Sequence, residues 1–208
     1  MSQLAPKKIA VLISGGGTNL QALIDNLDDI NGAIDIVISN KGDAYGLERA
    51  RLNNIDTLYI NQKDYEGIEE FNDEIIRELT KRNIDLVVLA GYLKILSKSF
   101  ISHFRNKIIN IHPSLIPSFC GKGFYGLRVH EEAIKYGVKI SGATVHFVDE
   151  NADTGAIILQ DTVKIDDNDT AEALQKKVLR IEHKLLPEAV KLFCEDKLHI
   201  ENRKVIVK

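Results

Sequence analysis

An asparagine and a histidine stand two residues apart in the stretch NIHPSLIPSF (110–119), at the end of an apolar run and just before two prolines. At alternate positions of a strand, Asn110 and His112 point the same way. An Asn amide can donate to a carbonyl oxygen that gains negative charge, and a His can do the same or move a proton near neutral pH. Pro113 removes a backbone donor and stops the strand. The plain alternative is that the two side chains only cap the strand end. A working His needs a carboxylate to orient it and to favour its protonated form. HFVDENADTGAIILQ offers Asp149, Glu150 and Asp153. Asp153 is the best placed of these, before Thr154-Gly155 where a turn leads into the next strand, and the residues alone leave all three open.

A second feature is SGGGTN (14–19) between a strand-like and a helix-like segment. Glycines allow close backbone approach to an anion, and the following helix start has free N–H groups. Thr18 or Asn19 could cap that helix. The stretch lacks the Gly-Lys-Ser/Thr end of a Walker A loop and is not a full G-x-G-x-x-G. It suits a small anionic ligand such as a sugar phosphate, or else is only a tight turn. The six histidines have no metal-ligand spacing, so no metal is expected. Neither Ser nor Cys carries a nucleophile signature.

These residues need a scaffold. KKIAVLIS (7–14), AIDIVISN (33–40), DTLYI, IDLVVLAGY (84–92) and NKIINIHP (106–113) read as strands. Between them lie helical patterns, including a charged one over 64–83 with Ile68, Phe71, Ile75, Ile76 and Leu79 on one face. The β-α-β rhythm predicts a doubly wound, mostly parallel α/β sheet. SGATVHFV and GAIILQDTVKI then read as neighbouring strands, followed by a helix over about 170–196 that Pro187 should kink or break. LHIENRKVIVK reads as a closing hairpin. In open parallel sheets ligands bind beyond the carboxyl ends of the strands. SGGGTN, GYLKIL and NIHPS should therefore gather on one edge.

With 208 residues, no repeat and no Gly-, Pro- or Ser-rich linker, the chain reads as one domain, 1–208. A net charge of −3 gives no field for nucleic acid or an anionic membrane. No apolar run approaches the roughly 20 residues of a membrane span. Lys7 and Lys8 precede an apolar stretch as in a signal peptide, but that stretch is too short and runs into glycines. Cys120 and Cys194 do not suggest a disulfide framework, and the expected compartment is the cytoplasm.

The residues quoted above, with SNKGDAYGLERA and VVLAGYLKIL, resemble those of the folate-dependent formyltransferases over nearly the whole chain. The SGGGTNLQALI front is similar to the glycinamide ribonucleotide branch of that family. The resemblance implies a single-domain Rossmann-like fold with antiparallel C-terminal strands. It also implies transfer of the formyl group of 10-formyltetrahydrofolate to the glycinamide amine in purine synthesis. On this likeness Asn110, His112 and Asp153 are the catalytic trio. Gly17, Thr18 and Asn19 contact the ribonucleotide phosphate, and Glu182 contacts the ribonucleotide near its glycinamide end. Leu93, Lys94, Ile95 and Leu96 line the folate pocket, with Asn110, Asp149 and Glu150 beside it. The expected mechanism is direct transfer, with Asn110 and protonated His112 donating to the oxyanion.

Two departures stand out. Ile68 occupies a position where some members carry a basic residue, with Lys63 as a substitute, and the loop SFCGKGFYGLRVH is long, with Lys122 and Arg128 as substrate-loop charges. The rival readings are a 10-formyltetrahydrofolate hydrolase, which usually adds an N-terminal regulatory domain, and a non-catalytic folate- or nucleotide-binding module. Members that formylate methionyl-tRNA resemble a longer chain with a basic RNA-binding domain. The expected partners are small molecules, with neither nucleic acid nor membrane, and a monomer or homodimer.

Overall fold

The computed structural model describes residues 5–208; the first four residues, where the leader-like start begins, lie outside the described part. One nine-stranded sheet runs through it, in the order β3-β2-β1-β4-β5-β6-β7-β9-β8. The strands are β1 (Lys7–Ile13), β2 (Gly32–Ser39), β3 (Asp56–Tyr59), β4 (Leu86–Leu89), β5 (Ile108–His112), β6 (Ile140–Phe147), β7 (Ile157–Lys164), β8 (Leu198–Glu201) and β9 (Lys204–Val207). The helices are α1 (Thr18–Ile24), α2 (Tyr45–Leu52), α3 (Ile68–Lys81), α4 (Lys98–His103), α5 (Leu127–Tyr136) and α6 (Ala171–Cys194). Strands β3-β2-β1-β4-β5 pair in parallel, while β6 pairs antiparallel to β5 and β7 antiparallel to β6. The mostly parallel α/β sheet with antiparallel C-terminal strands is thus the observed architecture.

Alternation along the strands sorts the core into two layers. Ile9, Val11 and Ile13 of β1 join Leu20, Leu47, Ala133 and Val178 on the face covered by α1, α2, α5 and α6. Ala10 and Leu12 turn the other way, toward Phe71, Ile75 and Leu79 of α3 and Phe100 of α4. Chain direction out from β1 reverses between β2 and β4, so the switch point of the sheet lies at the carboxyl end of β1.

Two expectations need correction. Pro187 does not break α6, which is one helix of 24 residues with Pro187 buried inside it. The lost backbone donor is outweighed by the burial of Leu186, Ala189 and Val190 against the sheet, each fully buried. Neither Thr18 nor Asn19 caps α1: Gly17 is the N-cap, and no side chain bonds the exposed N–H groups there.

Cys120 and Cys194 are both free. No helix among the described residues is long and apolar enough to cross a membrane.

Candidate active site

Strand β5 places Ile109 and Ile111 in the core beneath α6, so Asn110 and His112 face the opposite side. The antiparallel register sets Asn110 opposite His146 and His112 opposite Thr144. In β6 the residues Ala143, Val145 and Phe147 are again core, which turns Thr144 and His146 to the same side as Asn110 and His112. The helices α3 and α4 cover that side of the sheet as far as β5. Over β6 it is covered by polar loops instead. Thr144 Oγ1 donates to the Ser114 carbonyl at 2.6 Å and accepts from Ile116 N–H at 3.1 Å. The Ile116–Pro117 bond is cis.

The three side chains that the resemblance names come together here. Asp153 Oδ2 lies 3.6 Å from His112 Nδ1, and Asp153 Oδ1 lies 3.5 Å from Asn110 Nδ2. Asp153 reaches them from a left-handed backbone conformation, φ 57°, which Asp tolerates better than most residues. The loop after β5 holds both ends of the pair. His112 Nε2 donates to the Phe119 carbonyl at 3.0 Å, and Gly121 N–H donates to Asp153 Oδ2 at 2.8 Å. Gly121 sits at φ 86°, where a side chain would be strained.

His146 belongs to the same group; it opens the HFV stretch that shares in the family resemblance, but the sequence assigned it no role. Its Nδ1 is 2.8 Å from the Phe147 carbonyl, which can only accept, so Nδ1 carries the hydrogen. Nε2 is then bare and accepts from Asn110 Nδ2 at 3.1 Å. It also lies 3.6 Å from Asp153 Oδ1. The pairing of β5 with β6, a long-range event, is what shows that its ring meets Asn110.

The electrostatics correct one expectation. Burial drives His112 below the ordinary imidazole pKa, and the Asp153 charge and Phe119 carbonyl only partly oppose this. The resting ring is therefore neutral at pH 7 rather than protonated, because a carboxylate 3.6 Å away does not repay the lost hydration. Burial would raise Asp153, but its polar surroundings, with the Gly121 N–H donating to it, hold its carboxyl below the usual range.

The two other acids of the loop are engaged elsewhere. Asp149 Oδ1 accepts from Thr154 Oγ1 and Asn151 N–H, and Glu150 pairs with Arg105 at 2.8 Å. Both sit at the start of the loop that delivers Asp153.

The carboxyl ends of β1 and β4 lie next to that of β5, as the loop positions required. Ser14 Oγ accepts from Leu93 N–H at 2.8 Å and donates to Asn40 Oδ1 at 2.6 Å, tying the glycine loop to GYLKIL. In that second loop Leu93 and Ile95 are 53% and 73% exposed while Leu96 is buried. Lys94 lies between them. On the glycine loop, Asn19 Nδ2 donates to Glu182 Oε2 at 2.6 Å, so α6 brings Glu182 to α1. Burial pushes the Glu182 carboxyl up, offset only in part by that amide. Asn19 Oδ1 is buried without a partner. Ile68 opens α3 with its side chain partly exposed, and Lys63 lies in the preceding 3₁₀ turn. Lys122 and Arg128 flank the glycine-rich end of the loop that holds Phe119 and Gly121. Among the described residues no group of three or more His, Cys, Asp or Glu is placed to hold a metal.

The family description "Formyl transferase" matches residues 7–190. The chain belongs to the formyl transferase family. This formyl transferase is 43% identical over 198 residues to the phosphoribosylglycinamide formyltransferase of Haemophilus influenzae, covering 94% of this chain and 91% of that one. It is 44% identical over 201 residues to the human trifunctional purine biosynthetic protein adenosine-3, covering 95% of this chain but 19% of that much longer protein. Among solved structures, glycinamide ribonucleotide transformylase 1 from Symbiobacterium toebii superposes with a TM-score of 0.93 at 42% identity, covering 99% of this chain and 95% of that one.

Proposed function

We propose that this formyl transferase moves the formyl group of 10-formyltetrahydrofolate to the amine of glycinamide ribonucleotide, a step of purine synthesis. The observation that carries the reading is the convergence of Asn110, His112 and Asp153 beside the glycine loop, in a chain so close to the Haemophilus enzyme along its whole length. Small-molecule substrates, a single domain and no nucleic-acid partner belong to the same reading.

The ribonucleotide phosphate lies at Gly17, Thr18 and Asn19. The partnerless acceptor Asn19 Oδ1 and the Glu182 carboxyl face the hydrogen-bond donors of the ribonucleotide toward its glycinamide end. The pteridine lies on Leu93, Lys94, Ile95 and Leu96, against the loop from Asp149 to Asp153. The amine lone pair attacks the formyl carbon and the C=O electrons move onto oxygen. Asn110 has one N–H on His146 and a second only loosely engaged at 3.5 Å from Asp153. That second N–H turns to the oxyanion, and a preorganised donor of this kind is worth about 3–4 kcal/mol. Neutral His112 takes the proton that the amine loses. Asp153 stabilises the imidazolium, the C–N10 bond breaks as the carbonyl re-forms, and the proton passes to N10.

The experiment is turnover of 10-formyltetrahydrofolate, followed by absorbance, with and without glycinamide ribonucleotide. Consumption that requires the ribonucleotide is expected. Consumption without it would make the chain a hydrolase, and none under either condition would leave a binding module.

A further inference from the structure

The glycine loop is gripped from behind by α2. Gly46 N–H donates to the Gly15 carbonyl at 3.1 Å, and Arg49 Nε donates to the next carbonyl, Gly16, at 2.8 Å. Two successive carbonyls are thereby turned toward α2. The N–H groups of Gly16, Gly17, Thr18 and Asn19 have no hydrogen-bond partner among the described residues. Arg49 also donates through Nη1 to Gln21 Oε1 on α1 at 3.1 Å, and its guanidinium stacks 5.0 Å from the Tyr45 ring centroid.

Contact between α2 and the loop is close enough to exclude side chains. A Cβ on Gly17 would come within 2.6 Å of Gly46 Cα, whereas one on Gly15 or Gly16 would meet nothing within 4 Å. Gly17 is therefore small in order to seat α2, while Gly15 and Gly16 border open space. Arg49 has no carboxylate partner among the described residues, although the neighbouring Arg51 pairs with Glu48. A permanent cation thus stands uncompensated behind a run of unpartnered N–H groups.

We propose that Arg49 is a positioning residue for the ribonucleotide phosphate: it holds the Gly16 carbonyl away from the anion and supplies a fixed positive charge behind the loop. The inference rests on the proposed acceptor substrate. Arg49 is partly exposed; its guanidinium bonds the loop and α1, stacks on Tyr45 and lies within electrostatic reach of His183 on α6, and it is not part of either core layer.

The test is steady-state kinetics of the full chain for Arg49→Met and Arg49→Lys, with inorganic phosphate as a competitive probe and a thermal melt of each variant. Arg49→Met should raise the ribonucleotide KM and the phosphate inhibition constant about tenfold, the scale of one lost charge-assisted hydrogen bond. The kcat and the folate KM should stay as they are. Arg49→Lys keeps the charge without the planar fork and should fall between. An unchanged ribonucleotide KM, or a loss shared equally by both substrates, overturns the proposal. Should Arg49→Met fail to fold, Arg49→Lys decides: a rise confined to the ribonucleotide supports the proposal and no rise overturns it. Wild-type turnover that ignores the ribonucleotide would instead refute the functional reading, before any variant is made.

Discussion

Asn110 Nδ2 donates to His146 Nε2 across the β5–β6 ladder at 3.1 Å, and the Phe147 carbonyl fixes which ring nitrogen is free to accept. The amide of Asn110 is thereby oriented by a histidine that need not touch substrate. His146→Leu should cut kcat on the order of 10- to 100-fold through misplacement of that amide. The KM for either substrate should change little. His146→Gln offers an oxygen acceptor and should recover part of the loss; equal losses in both variants would exclude the orienting role.

Removal of the reacting groups should be costlier. Asn110→Ala is expected to lower kcat about 100- to 1000-fold, the cost of one preorganised donor, and His112→Ala about 100- to 10,000-fold, the scale of a lost general base. Ribonucleotide affinity, measured by calorimetry, should hold. Weakened binding with normal kcat would remove both residues from the chemistry.

The acid response follows from two depressed pKa values. His112 is held below its unfolded value of about 6.5, so stability is lost as pH falls below that value toward the folded pKa. Asp153 is also depressed, so its contribution is present above about 3.9 and lost as pH falls through its folded pKa. Both effects weaken the protein on acidification. Asp153→Asn removes the charge that supports the imidazolium, and the His112 pKa should fall further. An NMR titration of the ring reads this directly, and a rise would contradict the pairing.

Gly155 marks a mechanical weak point. A Cβ there would sit 1.7 Å from the Phe147 carbonyl, the same oxygen that receives His146 Nδ1. Gly155→Ala should therefore cost more than about 2 kcal/mol in stability by overpacking. The kcat at a temperature where the variant is still folded should fall as well. A normal melting temperature would show that the loop carrying Asp153 yields freely.

Ile95 tests the folate surface separately. Since it is 73% exposed, Ile95→Asp should leave folding intact while raising the folate KM. The ribonucleotide KM should not move. If both constants shift together, the apolar loop does not belong to the folate alone.

Much of this was legible in the sequence because local patterns carried it. Continuous apolar runs at β1 and β4, in a β-α-β rhythm, announced the parallel core, and the loops SGGGTN, GYLKIL and NIHPS fell on one sheet edge as their strand ends required. The facing of Asn110 and His112 was likewise a matter of strand period. Other features depended on contacts far apart in the chain. Asp153 could not be separated from Asp149 and Glu150 until Thr154, Arg105 and the Gly121 N–H had taken their partners. His146 looked like one more strand residue until β6 met β5. The neutral state of His112 depends on burial, which no motif reports. The break that Pro187 suggested fails for the opposite reason: the local rule is sound, but tertiary packing keeps α6 continuous through it.

The pairing of Asn110 with His146 and His112 with Thr144 also gives the site a parity. Slipping β6 by one residue would present Val145 or Phe147 to Asn110 in place of imidazole, and every polar group on that face would vanish into the α6 layer at once. A slip of two would restore polarity with the wrong neighbours. The loops at either end can lengthen or shorten without touching this count, because the ladder alone fixes which side chains stand opposite. Odd-numbered insertions within β6 should therefore abolish activity wholesale, while length changes in the 122–126 segment leave the Asn110–His146 pair where it stands.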